Sequence, residues 1–152
     1  NTTYRPTKSS VRKSLFDKLK SLKNKTVLDL FAGTGVIGFE ASSRGADSIS
    51  FVENNRNSIN LLKVNIKKFS KVNCKIYNMD CFDFLKKTYY FDLIFADPPY
   101  GLYDLKSLTN LVLNRLNING TFILECDKSV EPFFNAIVSN YGKTKLLTWI
   151  KK

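Results

Sequence analysis

The chain has 152 residues, 43% of them apolar, and carries 24 basic against 13 acidic side chains for a formal net charge of +11. That length suits one domain with a sizeable core, and no apolar run approaches the roughly 18 residues of a membrane span. Histidine is absent, and Cys74, Cys81 and Cys126 are far apart and lack C-x-x-C spacing, which excludes triads with a histidine base and argues against zinc or disulfide frameworks.

Along the chain the charge is uneven: residues 1–25 hold eight basic side chains against the lone Asp17. Such asymmetry suits a polyanion, most simply nucleic acid, although a solvated Lys-rich surface has the same composition. Val11, Leu15, Leu19 and Leu22 recur at helical spacing, so an amphipathic helix is predicted over 9–22 within a basic N-terminal extension. A strand over 26–31 leads through a glycine-rich turn into a helix near 35–43. A second strand spans 48–52, and Ile59, Leu62, Ile66 and Phe69 mark a helix over about 56–68. A short strand over 74–77 precedes a helix near 81–87. The apolar run 91–96 is a buried strand, followed by a helix over 105–116 and a strand over 121–125. The segment 133–139 fits helix or strand, 144–150 a strand, and the turn residues between them favour a closing hairpin. Strands alternating with helices at this pace imply one mostly parallel α/β sheet, doubly wound, over the whole of 1–152. The polar, basic opening without an apolar stretch, with unpaired thiols, fits a cytoplasmic protein that uses no membrane.

Chemistry concentrates at the carboxyl ends of the strands, the ligand crevice of an open parallel sheet. Gly33-x-Gly35-x-x-Gly38 follows the first strand, where a Cβ would block a ligand approaching the backbone. Glu53 ends the second strand, 20 residues after Gly33, where an acid can accept from ribose hydroxyls. Asp29, inside the first strand, is expected to meet a cationic ligand group, and this turns the fingerprint from NAD toward S-adenosylmethionine. Asp80 and Phe82, after the third strand, offer a carboxylate and a ring to an adenine, although Asp80 also suits a helix cap and Phe82 a core. Thr7, Phe31, Asn54 and Cys81 complete the candidate cofactor set. The fourth strand stops at Asp97-Pro98-Pro99-Tyr100. Proline cannot donate to a ladder, so a stiff loop follows, with a carboxylate, open carbonyls and an aromatic face that can hold a planar base.

Asp29-x-Phe31-x-Gly33-x-Gly35 with a downstream Asp97-Pro98-Pro99-Tyr100 resembles the amino-group methyltransferases that use S-adenosylmethionine. More narrowly the chain is similar to the RsmD-type 16S ribosomal RNA guanine-N2 methyltransferases. That likeness runs through Arg5-Pro-Thr7, Val11-Arg12-x-x-Leu15-Phe16, Gly38, Glu40-Ala41, Ser43-Arg44-Gly45-Ala46, Glu53 and Tyr141-Gly142-x-Thr144. Ser10 and Lys13 depart from it, standing where the family's signature has Arg and Glu.

The resemblance implies a Rossmann-like class I methyltransferase fold: a mostly parallel seven-stranded sheet, a C-terminal β-hairpin and helices on both faces. It implies that Asp97 and the Pro98 carbonyl accept from an exocyclic amine while Tyr100 stacks on its base. It also implies S-adenosylmethionine converted to S-adenosylhomocysteine without a metal, and ribosomal RNA or a small-subunit particle as partner of a monomer. Arg5, Lys8, Arg12 and Lys13 are the candidate RNA contacts. An adenine-N6 or cytosine-N4 DNA methyltransferase shares the Asp-Pro-Pro-Tyr motif but would need room for a target-recognition domain. A non-catalytic RNA-binding module would explain the charge and leave the cofactor edge without purpose.

Overall fold

Apolar strand runs buried on both faces need helices on both sides, and this is the arrangement the chain adopts. The computed structural model describes residues 9–69 and 73–152; Arg5, Thr7 and Lys8 lie outside the described residues. In chain order the elements are α1 (Ser9–Leu19), β1 (Thr26–Leu30), α2 (Val36–Ser43), β2 (Ser48–Glu53), α3 (Arg56–Phe69), β3 (Asn73–Asn78), α4 (Cys81–Leu85), β4 (Phe91–Ala96), α5 (Leu105–Leu113), β5 (Leu116–Asp127), β6 (Ile137–Tyr141) and β7 (Thr144–Ile150). The strands form one sheet in the order β3-β2-β1-β4-β5-β7-β6. β1 to β5 run parallel, and β7 enters antiparallel between β5 and β6. This is the doubly wound, mostly parallel sheet with a closing hairpin that the sequence predicts.

Strand alternation divides the core in two. Val27, Ile49, Phe51, Leu93 and Phe95 pack beneath α1, α2 and α3 through Val11, Leu15, Phe16, Ile37 and Leu62. Leu28, Leu30, Val52, Ile94 and Phe122 pack beneath α4 and α5 through Phe84, Leu85, Leu108 and Val112. The basic N-terminal helix therefore belongs to the core. It is also tied to the far hairpin, where Ser14 Oγ lies 2.9 Å from Tyr141 Oη.

Three boundaries differ from expectation. α1 stops at Leu19 because Lys20 takes φ 63°, while Leu22 still buries its side chain and so mimics a further helical turn. α5 stops at Leu113, and β5 starts at Leu116, where the ladder to Phe91 begins before an irregular step. The segment 133–136 is neither helix nor strand, because β6 starts only at Ile137.

Gly38 sits where α2 crosses β2. A Cβ there would stand 2.7 Å from Phe51 Cζ and 2.9 Å from Ile49 Cγ2, and the fully buried Phe51 ring has nowhere to retreat. Gly38→Ala should destabilise the protein by about 1–3 kcal/mol, the usual cost of overpacking, read as a lower urea midpoint at unchanged slope.

Candidate active site

β1 ends in a tight loop rather than a gradual turn. Phe31 takes φ 63°, Gly33 φ 58° and Gly35 φ 91°, a left-handed run that glycine accepts readily and Phe31 adopts at a cost. The loop is pinned from several sides. The Ala32 amide donates to the Val52 carbonyl and the Gly35 amide to the Ala32 carbonyl, each at 2.9 Å. Asn65 Nδ2 donates to the Thr34 carbonyl at 3.1 Å, fastening the loop to α3.

Two carboxylates complete the clamp. Glu53 Oε1 accepts the Gly33 amide at 2.7 Å, and Oε2 accepts the Asn54 and Asn55 amides at 3.1 and 2.8 Å. Glu53 thus locks the loops after β1 and β2 together while still bordering the cavity. Asp29 Oδ2 accepts the Gly38 amide at 3.0 Å from a side chain only 1% exposed. Burial pushes its pKa well above the ordinary 3.8; the Gly38 bond opposes the shift, and Glu53 and Asp97 add to it. Asp29 lies beneath the glycine loop and does not line the cavity. Its direct role is to hold the first turn of α2.

Asp80 is the N-cap of α4, accepting the Phe82 and Asp83 amides at 2.8 and 3.4 Å. Both bonds end on Oδ2, so the helix cap that the sequence allows beside an adenine contact is present. Cys81 is buried there, and burial pushes its thiol up to about 12, so it is no nucleophile at neutral pH.

Above these loops opens a cavity of about 780 Å³. On the cofactor side it is bordered by Phe31, Glu53 and Asn54, and on the other side by Asp97, Pro98, Pro99 and Tyr100. The structure therefore brings together Phe31 at the start of the glycine loop, the β2 acid and the motif after β4, while Gly33 and Gly35 do not line the cavity. Pro98 is buried and Asp97 half-buried, whereas Tyr100 is 72% exposed and presents its ring to solvent. A mobile partner can reach that ring without displacing any core residue.

Several wall residues escape sequence reasoning, Tyr103, Glu125 and Asp127 among them. Tyr103 sets its ring 5.0 Å from Phe31, edge-on, and 5.7 Å from Phe82, nearly parallel. It covers a small recess shared with Glu53, Asn54 and Cys81; no local pattern could announce a loop aromatic in this role. Glu125 and Asp127 border the cavity from the end of β5. Their position at a carboxyl strand end is the same signal that exposes Glu53 and Asp97.

The donors and acceptors fit S-adenosylmethionine. Glu53 borders the cavity where an acid can accept from a ribose diol, Phe31 and Tyr103 offer it rings for a purine, and its carboxylates suit a sulfonium; the volume falls within the usual ligand range. Among the described residues no cluster could hold a metal ion, and no helix is long and apolar enough to cross a membrane.

The basic face is only partly open. Arg12 Nε pairs with Glu40 at 3.8 Å, while Arg44 bridges Glu40 at 2.9 Å and Asp17 at 3.0 Å. Lys13 also pairs with Asp17, at 2.9 Å, but its side chain is 75% exposed. Arg12 is thus a strut between α1 and α2, and Lys13 is the residue of the two that faces outward.

The family described as Conserved hypothetical protein 95 matches residues 1–148. Ribosomal RNA small subunit methyltransferase D of Buchnera aphidicola (from Acyrthosiphon pisum) is 40% identical over 114 residues, which is 73% of this chain and 60% of that protein. The chain thus spans less than two thirds of that relative's length. The protein of the same name from Haemophilus influenzae is 34% identical over 132 residues, covering 82% of this chain and 68% of its own. A conserved hypothetical protein of Streptococcus pyogenes superposes with a TM-score of 0.85 at 26% identity, covering 93% of this chain and 95% of its own.

The Asp29 environment predicts a pH dependence. With its folded-state pKa above the unfolded 3.8, its contribution to stability is complete below that value and is lost as pH rises through the folded-state pKa. Asp29→Asn keeps a carbonyl acceptor for Gly38 and removes the titration. Thermal melts should show the variant gaining on the parent between pH 4 and pH 8; a constant difference would mean that Asp29 is ionised throughout.

Proposed function

The chain belongs to the Conserved hypothetical protein 95 family of RsmD-type methyltransferases, and on that premise we propose that it methylates the exocyclic N2 amine of a guanine in small-subunit (16S) ribosomal RNA. S-adenosylmethionine is the donor, and the work is done in the cytoplasm. The observation that carries this reading is one cavity bordered on one side by Glu53 beneath the glycine loop and on the other by Asp97 through Tyr100. A donor nucleoside and an acceptor base would meet across it.

When bound, S-adenosylmethionine supplies a methyl group on a cationic sulfur that departs as a neutral thioether. The chain's residues prepare the acceptor. An aromatic amine's lone pair is delocalised into its ring, so the nitrogen is a poor nucleophile. Asp97 and the Pro98 carbonyl accept its two N–H bonds, favour a pyramidal nitrogen and aim the lone pair across the cavity. Tyr100 stacks on the base and fixes its plane. As the nitrogen–methyl bond forms and the sulfur–methyl bond breaks, the nitrogen becomes cationic. One of its protons then leaves along the hydrogen bond to Asp97 and passes to water. Alignment and a fixed carboxylate supply the acceleration, and no histidine base is required. A base paired inside a helix cannot reach Tyr100, so the target is unpaired or flipped out.

A DNA methyltransferase would use the same amine-gripping edge. The similarity to proteins named ribosomal RNA small subunit methyltransferase D favours RNA.

The direct test is tritium transfer from labelled S-adenosylmethionine to undermodified small-subunit particles, with the product nucleotide mapped by mass. Asp97→Asn should slow transfer by about 10²-fold or more, the scale of losing an electrostatic stabiliser, with the fold intact. Tyr100→Phe should be tolerated, since the ring face holds the base; an Asp97→Asn protein as fast as the parent would sink the mechanism.

Charge reversal at Lys13 tests the docking face. Lys13→Glu should weaken RNA binding and flatten its salt dependence without altering cofactor affinity. An unchanged salt slope would reduce Lys13 to a solvated surface charge.

A further inference from the structure

β5 carries an acid that the transfer step does not use. Glu125 is only 7% exposed, yet it borders the cavity together with Asp97, Pro98 and Tyr100. Its place follows from the sheet. β4 and β5 are parallel with Ala96 opposite Leu124, so the next step of the register sets Asp97 beside Glu125. Burial raises the Cys126 thiol, and both carboxylates add to it along with Asp127, as expected of neighbours at the same strand ends. Asp127 lies farther along the same wall. The buried Lys145 amine donates to the Val130 carbonyl at 2.7 Å, and so helps to close this end of the cavity.

We infer that Glu125 is the specificity-determining residue for the base, accepting the N1–H of a guanine whose N2 amine is held by Asp97. The inference rests on the proposed guanine target. Guanine presents two adjacent donors on its Watson–Crick edge, the N2 amine and N1–H. Two neighbouring carboxylates complement that pair. Adenine and cytosine also carry exocyclic amines, but in each the adjoining ring nitrogen offers a lone pair. A fixed carboxylate facing that lone pair finds no proton, and the site loses a hydrogen bond inside a cavity that water serves poorly. The Asp-Pro-Pro-Tyr loop alone cannot make this distinction, because it grips only the amine. A second acceptor one strand away can.

The probe is small-subunit RNA in which the guanine mapped above is replaced by 2-aminopurine, assembled into particles. This base keeps the N2 amine and has a lone pair at N1 in place of N1–H. The parent protein should methylate the guanine particle faster by roughly 5- to 150-fold, the range for one specific base contact. Glu125→Gln, whose amide can donate as well as accept, should bring the two rates near parity. A readout without chemistry runs in parallel: with S-adenosylhomocysteine present, 2-aminopurine fluorescence should rise more on binding the variant than on binding the parent.

Equal rates for the parent on both particles, or an unaltered preference in Glu125→Gln, would overturn the assignment of Glu125 and leave the methyltransferase reading standing. Methylation of neither particle by the parent would overturn that reading, and this inference with it. Should Glu125→Gln fail to fold, Glu125→Asp decides. Its carboxyl group is withdrawn by one methylene, so it should lose guanine rate while the 2-aminopurine rate holds, and an unchanged ratio would overturn the inference.

Discussion

The buried hydrogen bond from the Gly38 amide to Asp29 is the constraint on which the site depends. A parallel strand must hand its chain to a helix within a few residues, and the helix's first amides have no partners inside the helix. Here a side chain from the strand itself reaches under the loop and supplies one. The loop above is then free to follow its left-handed course through Phe31, Gly33 and Gly35, because the helix it feeds is already anchored. Glu53 performs the complementary task from the neighbouring strand, accepting the Gly33 amide. The cavity wall is therefore held by carboxylates from two adjacent strands, and Asp29 is kept where its charge is expensive.

That expense links stability to function. Burial makes the Asp29 charge costly, and Glu53 and Asp97 add to that cost, as the upward shift at Asp29 records. A protein selected for stability alone would not gather acids at four adjoining strand ends. A cationic sulfonium relieves the repulsion on binding, and so do the hydrogen-bond donors of a target base. The cavity is consequently poorly matched to anions, although the protein as a whole carries +11.

How much of this was legible depends on where each side chain's partner lies. The central strands β1 and β4 are visible as apolar runs because both their faces are buried, whereas the edge strand β3 carries polar residues and shows only as a short stretch between helices. Asp97-Pro98-Pro99-Tyr100 and Glu53 were legible because strand ends in such a sheet converge on one crevice. Asp29 was found, but its partner was not: that a strand carboxylate would take the Gly38 amide depends on how closely α2 approaches β1. Asp80, by its place after β3, suits a helix cap as well as an adenine contact, and the amides of Phe82 and Asp83 supply the cap. The end of α1 was misread because Leu22 is buried for a tertiary reason: its amide donates to the Arg44 carbonyl, and its side chain joins the core after the helix has ended. Tyr103 could not be found at all, since its ring meets Phe31 and Phe82 from elements distant in sequence.

The distribution of charge explains how a polyanion can be both attracted and chemically sorted. Lysines on the outer surface draw phosphates by long-range attraction that reads no sequence. The acids of the cavity refuse those phosphates and admit only groups that bring a positive charge or a hydrogen-bond donor. On the proposed function, an RNA segment held at the rim would turn its backbone toward the lysines and a base edge inward. The exposed ring of Tyr100 stands at the border between the two regions. It is the first surface that an extruded base can stack upon, and the stiffness of the two prolines keeps it there before the base arrives. Affinity then belongs to the surface and selection to the cavity, and a change in one need not disturb the other.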